Sequence, residues 1–280
     1  MRREHRDPVP GVHPVRFGTA ELLADADWPG GWLLTVDGVA QSYVDLDDPT
    51  HLEFDYTRRM GDVIDCLPPG PLDCLHVGGA GCTLPRYVSA TRPASTHLVL
   101  DADGELMDLV AAHLALDTVP DLRIRVADAR SEITSVPPAS VDLAVLDAFQ
   151  AASTPSRLST REFLVDVART LRPHGVVLVN VSDGPGLVYV RRVLATIQAV
   201  LPTVLLLGEP AILKGRRFGN LVVAASAVDL PVDEVRDTQS RAPFPARCVT
   251  GPALTALIDD APPLTDAAPA SSPAPPAGLF

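Results

Sequence analysis

Runs of apolar or β-prone residues recur at short intervals along most of this chain, and stretches with helical spacing lie between them. The runs at 72–77, 97–100, 122–126, 141–146, 176–181, 204–207 and 221–225 predict seven strands. The stretches 105–115, 160–171 and 186–200 carry helical patterns. Short apolar strands alternating with helices indicate a parallel sheet covered on both faces. The last two strands are separated only by residues 208–219, too few for a helical crossover, so they are expected to pair antiparallel. The predicted fold class is α/β, a doubly wound seven-stranded sheet.

Before this rhythm begins, 32–36 and 39–43 read as two strands around Asp37-Gly38, a strong short hairpin signal. Asp48 and Thr50 offer N-caps for a helix over about 52–66, which Pro68-Pro69-Gly70 stops. Four segments follow: a disordered N-terminus (1–14), a small β-hairpin unit (15–50), a main α/β domain (51–261) and a disordered tail (262–280). The tail is rich in Pro, Ala and Ser and poor in bulky apolar residues, which is the reason for that reading.

Charge narrows the function classes. A formal net charge of −12 leaves no basic excess to displace counterions from nucleic acid or to hold an anionic membrane surface. No apolar run reaches the about 20 residues needed to span a bilayer, and the N-terminus lacks the apolar core of a signal peptide. A soluble cytoplasmic protein with a small-molecule acceptor, no nucleic-acid partner and no membrane is expected. The four cysteines, Cys66, Cys74, Cys82 and Cys248, form no C-x-x-C pair or zinc-type cluster, and no metal is expected.

Candidate chemistry sits at the predicted strand ends, where open α/β sheets bind ligands. The first strand runs into Gly78-Gly79-Ala80-Gly81, glycines that let the backbone approach a ligand closely. Leu84 stands where a dinucleotide G-x-G-x-x-G pattern would need its third glycine, which disfavours a nicotinamide dehydrogenase. The second strand ends in Asp101-Ala102-Asp103. Asp101 is placed to accept ribose hydroxyls and Asp103 to cap the next helix. The third ends in Ala127-Asp128-Ala129, where a carboxylate can take the adenine amino group or cap a helix. The fourth ends in Asp147-Ala148-Phe149-Gln150. His76, inside the first strand, reads as a core histidine.

Taken in order, these landmarks resemble the spermidine synthases. Asp37-Gly38-Val39-Ala40-Gln41-Ser42 resembles their D-G-x-x-Q-S hairpin, and Glu53-Phe54-Asp55-Tyr56 their E-F-x-Y helix start. Gly78 to Leu84 covers most of G-G-G-D-G-G-T-L, Asp101 to Asp103 matches E-x-D, and Asp147 opens the D-S-S-D-P stretch. Leu171-Arg172-Pro173-His174-Gly175 resembles L-K-P-G-G. The resemblance implies a methyltransferase-type, Rossmann-like sheet and a donor substrate that is S-adenosylmethionine (AdoMet) or decarboxylated AdoMet. It implies that Gln41, Gly78, Gly79, Gly81, Asp101, Asp128 and Ala129 bind the donor. It makes Asp147 the proton acceptor, with Tyr56 as its helper at the acceptor. A homodimer is an assembly that the resemblance also implies.

The departures fall on the residues that hold a cationic amine. Ala80 replaces the aspartate of G-G-G-D, Gln150 replaces the second aspartate of D-S-S-D, and Arg58 stands where an acid is usual. A buried ammonium without a counter-charge is strongly disfavoured. The expected activity is therefore aminopropyl or methyl transfer to an acceptor that is not an ordinary diamine, with Gln150 and Tyr56 as substrate residues. Ala80 also removes a negative charge that would disfavour the carboxylate of intact AdoMet. A true polyamine aminopropyltransferase using Gln150 and Asp55 is one alternative. A non-catalytic nucleoside-binding sensor or scaffold is the other.

Overall fold

The computed structural model describes residues 10–150 and 152–276. Residues 1–9 and 277–280, the outer parts of the two segments expected to be disordered, lie outside the described residues. The chain opens with β1 (Gly11–Val15), β2 (Gly18–Ala24), β3 (Gly31–Val36) and β4 (Val39–Asp45), an antiparallel meander paired in chain order. Asp37 and Gly38 both take positive φ, as a tight hairpin between β3 and β4 requires. The unit is two strands wider than the predicted hairpin and begins inside the segment expected to be disordered. Pro14 obscured β1, but an edge strand tolerates a residue without an N–H.

The helix α1 (Asp55–Cys66) starts later than expected. Asp48 folds its own turn by accepting from the Thr50 N–H at 2.9 Å, and neither Asp48 nor Thr50 caps the helix. Then come β5 (Asp73–Val77), α2 (Thr83–Thr91), β6 (Thr96–Asp101), α3 (Gly104–His113), β7 (Leu122–Val126) and α4 (Ala129–Glu132). They are followed by β8 (Val141–Leu146), α5 (Arg161–Thr170), β9 (Leu171–Asp183), α6 (Val188–Gln198), β10 (Thr203–Gly208) and α7 (Pro210–Leu213). The last elements are β11 (Gly219–Ser226), α8 (Val232–Arg241), β12 (Arg247–Val249) and α9 (Gly251–Ile258).

The main sheet has the order β12-β10-β11-β9-β8-β5-β6-β7. Neighbours from β9 to β7 are parallel, and β11 runs antiparallel to both β9 and β10. All seven predicted strands are present. The eighth, β12, has three residues and carried no readable pattern. Side chains alternate between two apolar layers: Ala144 and Leu146 face the layer that holds Phe163 and Val190, while Leu143 and Val145 face Met60 and Ile64 of α1. A third cluster joins Leu22, Leu34 and Trp32 of the meander to Leu106 and Val110 of α3. Asp103 secures that join. Its carboxylate accepts from the backbone N–H groups of Arg16 and Phe17 while capping α3 through the Leu106 N–H.

From β5 the chain winds outward through β6 to β7, then returns to β8 on the other side of β5. Connections that leave in opposite directions open a crevice at the carboxyl ends of the strands. Among the described residues, no helix is long and apolar enough to cross a membrane.

The tail corrects the compositional reading. Residues 262–268 lie along α5 and α6, Ser272 meets Thr154 and Ser182, and Pro275 reaches the cavity described below. Leu264 is fully buried, its N–H donates to Thr196 Oγ1 at 2.8 Å, and its carbonyl accepts from the Arg161 N–H at 2.9 Å. Asp266 accepts from Thr160 Oγ1 and Arg130, and buried Ser272 accepts from the Thr154 N–H. Arg192 of α6 donates to the carbonyls of Pro262 and Ala268. One apolar anchor and partners supplied by the domain hold what composition alone could not. Leu264→Ala should therefore lower stability by about 2–4 kcal/mol, read from urea unfolding. An unchanged midpoint would show that the anchor adds nothing.

Candidate functional site

The site is built where β5 meets β8. The Asp147 N–H donates to the Val77 carbonyl at 2.9 Å, and the next residue of the first strand, Gly78, turns at φ +90°. A Cβ on Gly78 would sit 2.4 Å from the Asp147 carbonyl oxygen, so only glycine fits there. Asp101, at the end of β6, holds the turn from behind. One of its carboxylate oxygens accepts from the N–H groups of Gly79 at 2.7 Å and Ala80 at 3.4 Å, and the other from the Asp103 N–H. Burial raises the pKa of Asp101, and these donors oppose that shift.

The meander closes the turn from the front. The Gly81 N–H donates to Ser42 Oγ at 3.0 Å, and Thr83 Oγ1 donates to the Tyr43 carbonyl at 2.9 Å. A Cβ at Gly81 would fall 2.8 Å from Ser42 Cβ. Gly81 is thus small because β4 packs on it.

A cavity of about 410 Å³ lies between β4, the start of α1, the glycine turn and the ends of β8 and β9. It brings together Gln41, Tyr56, Gly78, Gly79 and Asp147 of the predicted residues, along with Ala80. Gly81, Asp101, Asp128, Ala129 and Gln150 are not in its lining. Asp128 caps α4 through the Arg130 N–H and accepts from Arg157 at 2.6 Å, and Ala129 is buried in the first turn of α4. Even so, the ends of β8, β5, β6 and β7 present Asp147, the glycine turn, Asp101 and Asp128 in one row. At the usual strand spacing that row is roughly 14 Å long. Gln150 lies at the edge of this arrangement. It is exposed, its backbone pairs with Ser153, and Phe149 and Ala152 reach the cavity instead. The loop after β8 turns outward before position 150.

Asp147 is the electrostatic centre of the cavity. Asn180, on β9, donates from Nδ2 to Asp147 Oδ1 at 2.8 Å. Burial raises the carboxyl pKa of Asp147, while Asn180 and Tyr56 pull it back. The Tyr56 phenol is held well above its ordinary range, first by burial and then by the Asp147 charge. A phenol that keeps its proton beside a carboxylate of raised basicity makes Asp147 the group able to take a proton.

Arg58 is a correction. Its guanidinium donates to the Leu52 and Glu53 carbonyls and to Asp55, and so braces the loop before α1. Arg59 lines the cavity in its place, and it is only 4% exposed. One further residue turns the helix by about 100°, enough to move the side chain from brace to cavity wall. Arg59 and Asn180 were both missed in the sequence, although signals were present. Arg59 follows Tyr56 by three residues and so shares its helix face. Asn180 is the polar residue inside the apolar run 176–181.

Cys74, His76 and His97 are the one metal-type group among the described residues, with donor atoms within 4.8 Å of one another. Three of the four ring nitrogens already have hydrogen-bond contacts. His76 meets His97 at 3.2 Å, and His97 meets Ser89 Oγ at 2.9 Å. Burial holds His76 well below its ordinary pKa and pushes His97 down to about 4.

No family model matches the chain. A polyamine aminopropyltransferase of Chromobacterium violaceum is 26% identical over 144 residues, 51% of this chain and 55% of that protein. The match thus spans about half the length of that curated relative. A probable spermidine synthase from Corynebacterium glutamicum superposes with a TM-score of 0.87 at 29% identity, covering 92% of this chain and 97% of the other. The spermidine synthase of Thermotoga maritima gives a TM-score of 0.62 at 15% identity, covering 89% and 83%. Human methyltransferase-like protein 13, solved with SAH, gives 0.53 at 19% identity, covering 72% and 91%. The last two speak to the fold alone, which is the mixed α/β methyltransferase-like sheet. In sequence and in fold the chain is thus similar to the spermidine synthases.

Proposed function

We propose that the chain transfers an aminopropyl group from decarboxylated AdoMet to an amine. The observation that carries this reading is Asp147, set with Asn180 and Tyr56 in a cavity walled by Gln41 and the glycine turn. An amine nitrogen attacks the carbon bonded to the sulfonium. The new N–C bond forms as the C–S bond breaks, its electron pair goes to sulfur, and methylthioadenosine leaves. The amine must shed a proton to expose its lone pair, and Asp147 takes it. The same carboxylate stabilises the positive donor at short range. Gln41 and the backbone of Gly78 and Gly79 hold the donor, with Asp101, Asp128 and Ala129 along the row of strand ends for its nucleoside.

Methyl transfer from AdoMet is a second reading, favoured by one observation. Ala80 lines the cavity with a methyl group where the resembled motif has a carboxylate, so nothing at that position repels the carboxylate of intact AdoMet. Titration calorimetry with AdoMet, decarboxylated AdoMet, methylthioadenosine and NAD separates the two. Aminopropyl transfer expects decarboxylated AdoMet and methylthioadenosine to bind best. Tightest binding of AdoMet moves methyl transfer ahead, and binding of NAD alone defeats both.

Asp147→Asn should lower turnover by about 10²–10⁴-fold, followed as release of methylthioadenosine, with binding of that nucleoside largely kept. In wild type, activity should rise with pH as Asp147 loses its proton. The stability effect has the opposite sense. A carboxyl whose pKa is raised in the fold binds its proton more tightly in the native state. Its contribution to stability falls as pH climbs from the ordinary value of 3.8 through the raised one. The Asn variant should therefore melt higher than wild type at pH 7. A lower melting temperature with unchanged turnover would remove Asp147 from the mechanism.

A further inference from the structure

Among the described residues three arginines are nearly buried: Arg59, Arg86 and Arg92, at 4%, 6% and 7% exposure. Two of them satisfy backbone carbonyls. Arg92 donates to those of Ile64, Leu67, Pro68 and Gly70, and Arg86 to those of Gly81 and Leu114. Arg59 does not. Its Nε is buried without a hydrogen-bond partner among the described residues, and its ion-pair partner Asp55 lies 3.6 Å from Nη2. Asp55 is shared with Arg58, which approaches it more closely at 3.2 Å. The other cavity arginine, Arg217, is paired with Glu209. A guanidinium cannot escape its charge by losing a proton, so Arg59 is a buried cation that lacks a full counter-charge.

A second buried group in the same cavity is also incomplete. Asn180 gives Nδ2 to Asp147, and an ionised carboxylate can only accept, which fixes the orientation of the amide. That leaves Asn180 Oδ1 buried with no donor. Seven buried side-chain atoms lack a partner among the described residues, and only these two belong to residues that line the cavity. One is a cationic donor. The other is an acceptor beside a carboxylate.

From this pairing we infer that the acceptor substrate is an amino carboxylate, with its carboxylate on Arg59 and its amine on Asp147 and Asn180 Oδ1. The inference rests on the transferase reading above and names the acceptor class for the same site. Arg59 follows Tyr56 by one helical turn, so the two ends of a short zwitterion can be held at once. The other acids of the cavity are already engaged, Glu53 with Arg58, Asp55 with Arg58 and Arg59, and Glu209 with Arg217, so a diamine whose distal ammonium reached Arg59 would bury like charges together. The reaction balances as before. The ammonium of the acceptor gives one proton to Asp147, its nitrogen bonds to carbon, the C–S pair goes to sulfur, and the product is a secondary amine that keeps its carboxylate.

The test is calorimetry on the whole protein saturated with methylthioadenosine. Glycine, β-alanine, 4-aminobutanoate, 5-aminopentanoate and L-lysine are titrated against diamines of matched length. At least one amino carboxylate should bind about tenfold or more tightly than its matched diamine, the worth of a charge-assisted contact. Arg59→Gln should erase that preference, and Arg59→Lys should keep part of it if the Gln variant fails to fold. Diamine preference throughout the series, or a preference untouched by both variants, overturns the inference while leaving the transferase reading intact. If Arg59→Gln instead weakens AdoMet relative to decarboxylated AdoMet, the arginine reads the carboxylate of the donor and the acceptor assignment falls. Failure of methylthioadenosine to bind wild type overturns the transferase reading itself.

Discussion

The closeness of two strand ends governs this site. β5 and β8 are neighbours, and the backbone of Asp147 meets Val77 and Gly78 so tightly that a single added methyl group at position 78 has no room. That contact aims the glycine turn along the crevice and sets Asp147 at its floor. The turn can hold this shape because Asp101 accepts its N–H groups from one side and Ser42 accepts another from the opposite side. The meander is therefore a wall of the cavity, and Gln41 reaches the cavity because Ser42 and Tyr43 are anchored.

Charge placement follows a consistent rule elsewhere in the molecule. Buried or half-buried cations are offset by carbonyls or acids that the fold brings near, as with Arg92 at the end of α1 and Arg172 between Asp73 and Asp142. The tail obeys it too, through Arg130, Arg192 and Asp266. Arg59 meets the rule only in part, and it does so in the cavity: Asp55 is shared with Arg58, and its Nε has no partner among the described residues. Unmet polarity is costly where water is scarce, so its persistence in the cavity that holds Asp147 is informative in a way that a surface charge is not.

Much of the fold was legible because short apolar runs and helical spacing carry directly into strands and helices. The Asp37-Gly38 turn declared its hairpin through the positive φ it requires. Thr160 and Asp103 cap helices where the sequence placed those helix starts. Legibility failed where partners come from far along the chain. Leu264 and Ser272 look like part of a passive tail until α5 and α6 supply contacts to the first and Thr154 and Ser182 to the second, and Pro14 hides a strand that its neighbour defines.

The order of glycines and aspartates at the strand ends was written in the sequence, because strand ends in an open parallel sheet necessarily line one edge. Periodicity therefore brought Gly78, Asp101, Asp128 and Asp147 to the same side without any knowledge of packing. Which of them share a cavity was a matter for the tertiary structure. Local pattern places a side chain on an element, but only the packing of elements decides what it faces. For that reason Gln150 stays exposed, Arg58 becomes a brace, Asn180 meets Asp147, and Arg59 lines the same cavity.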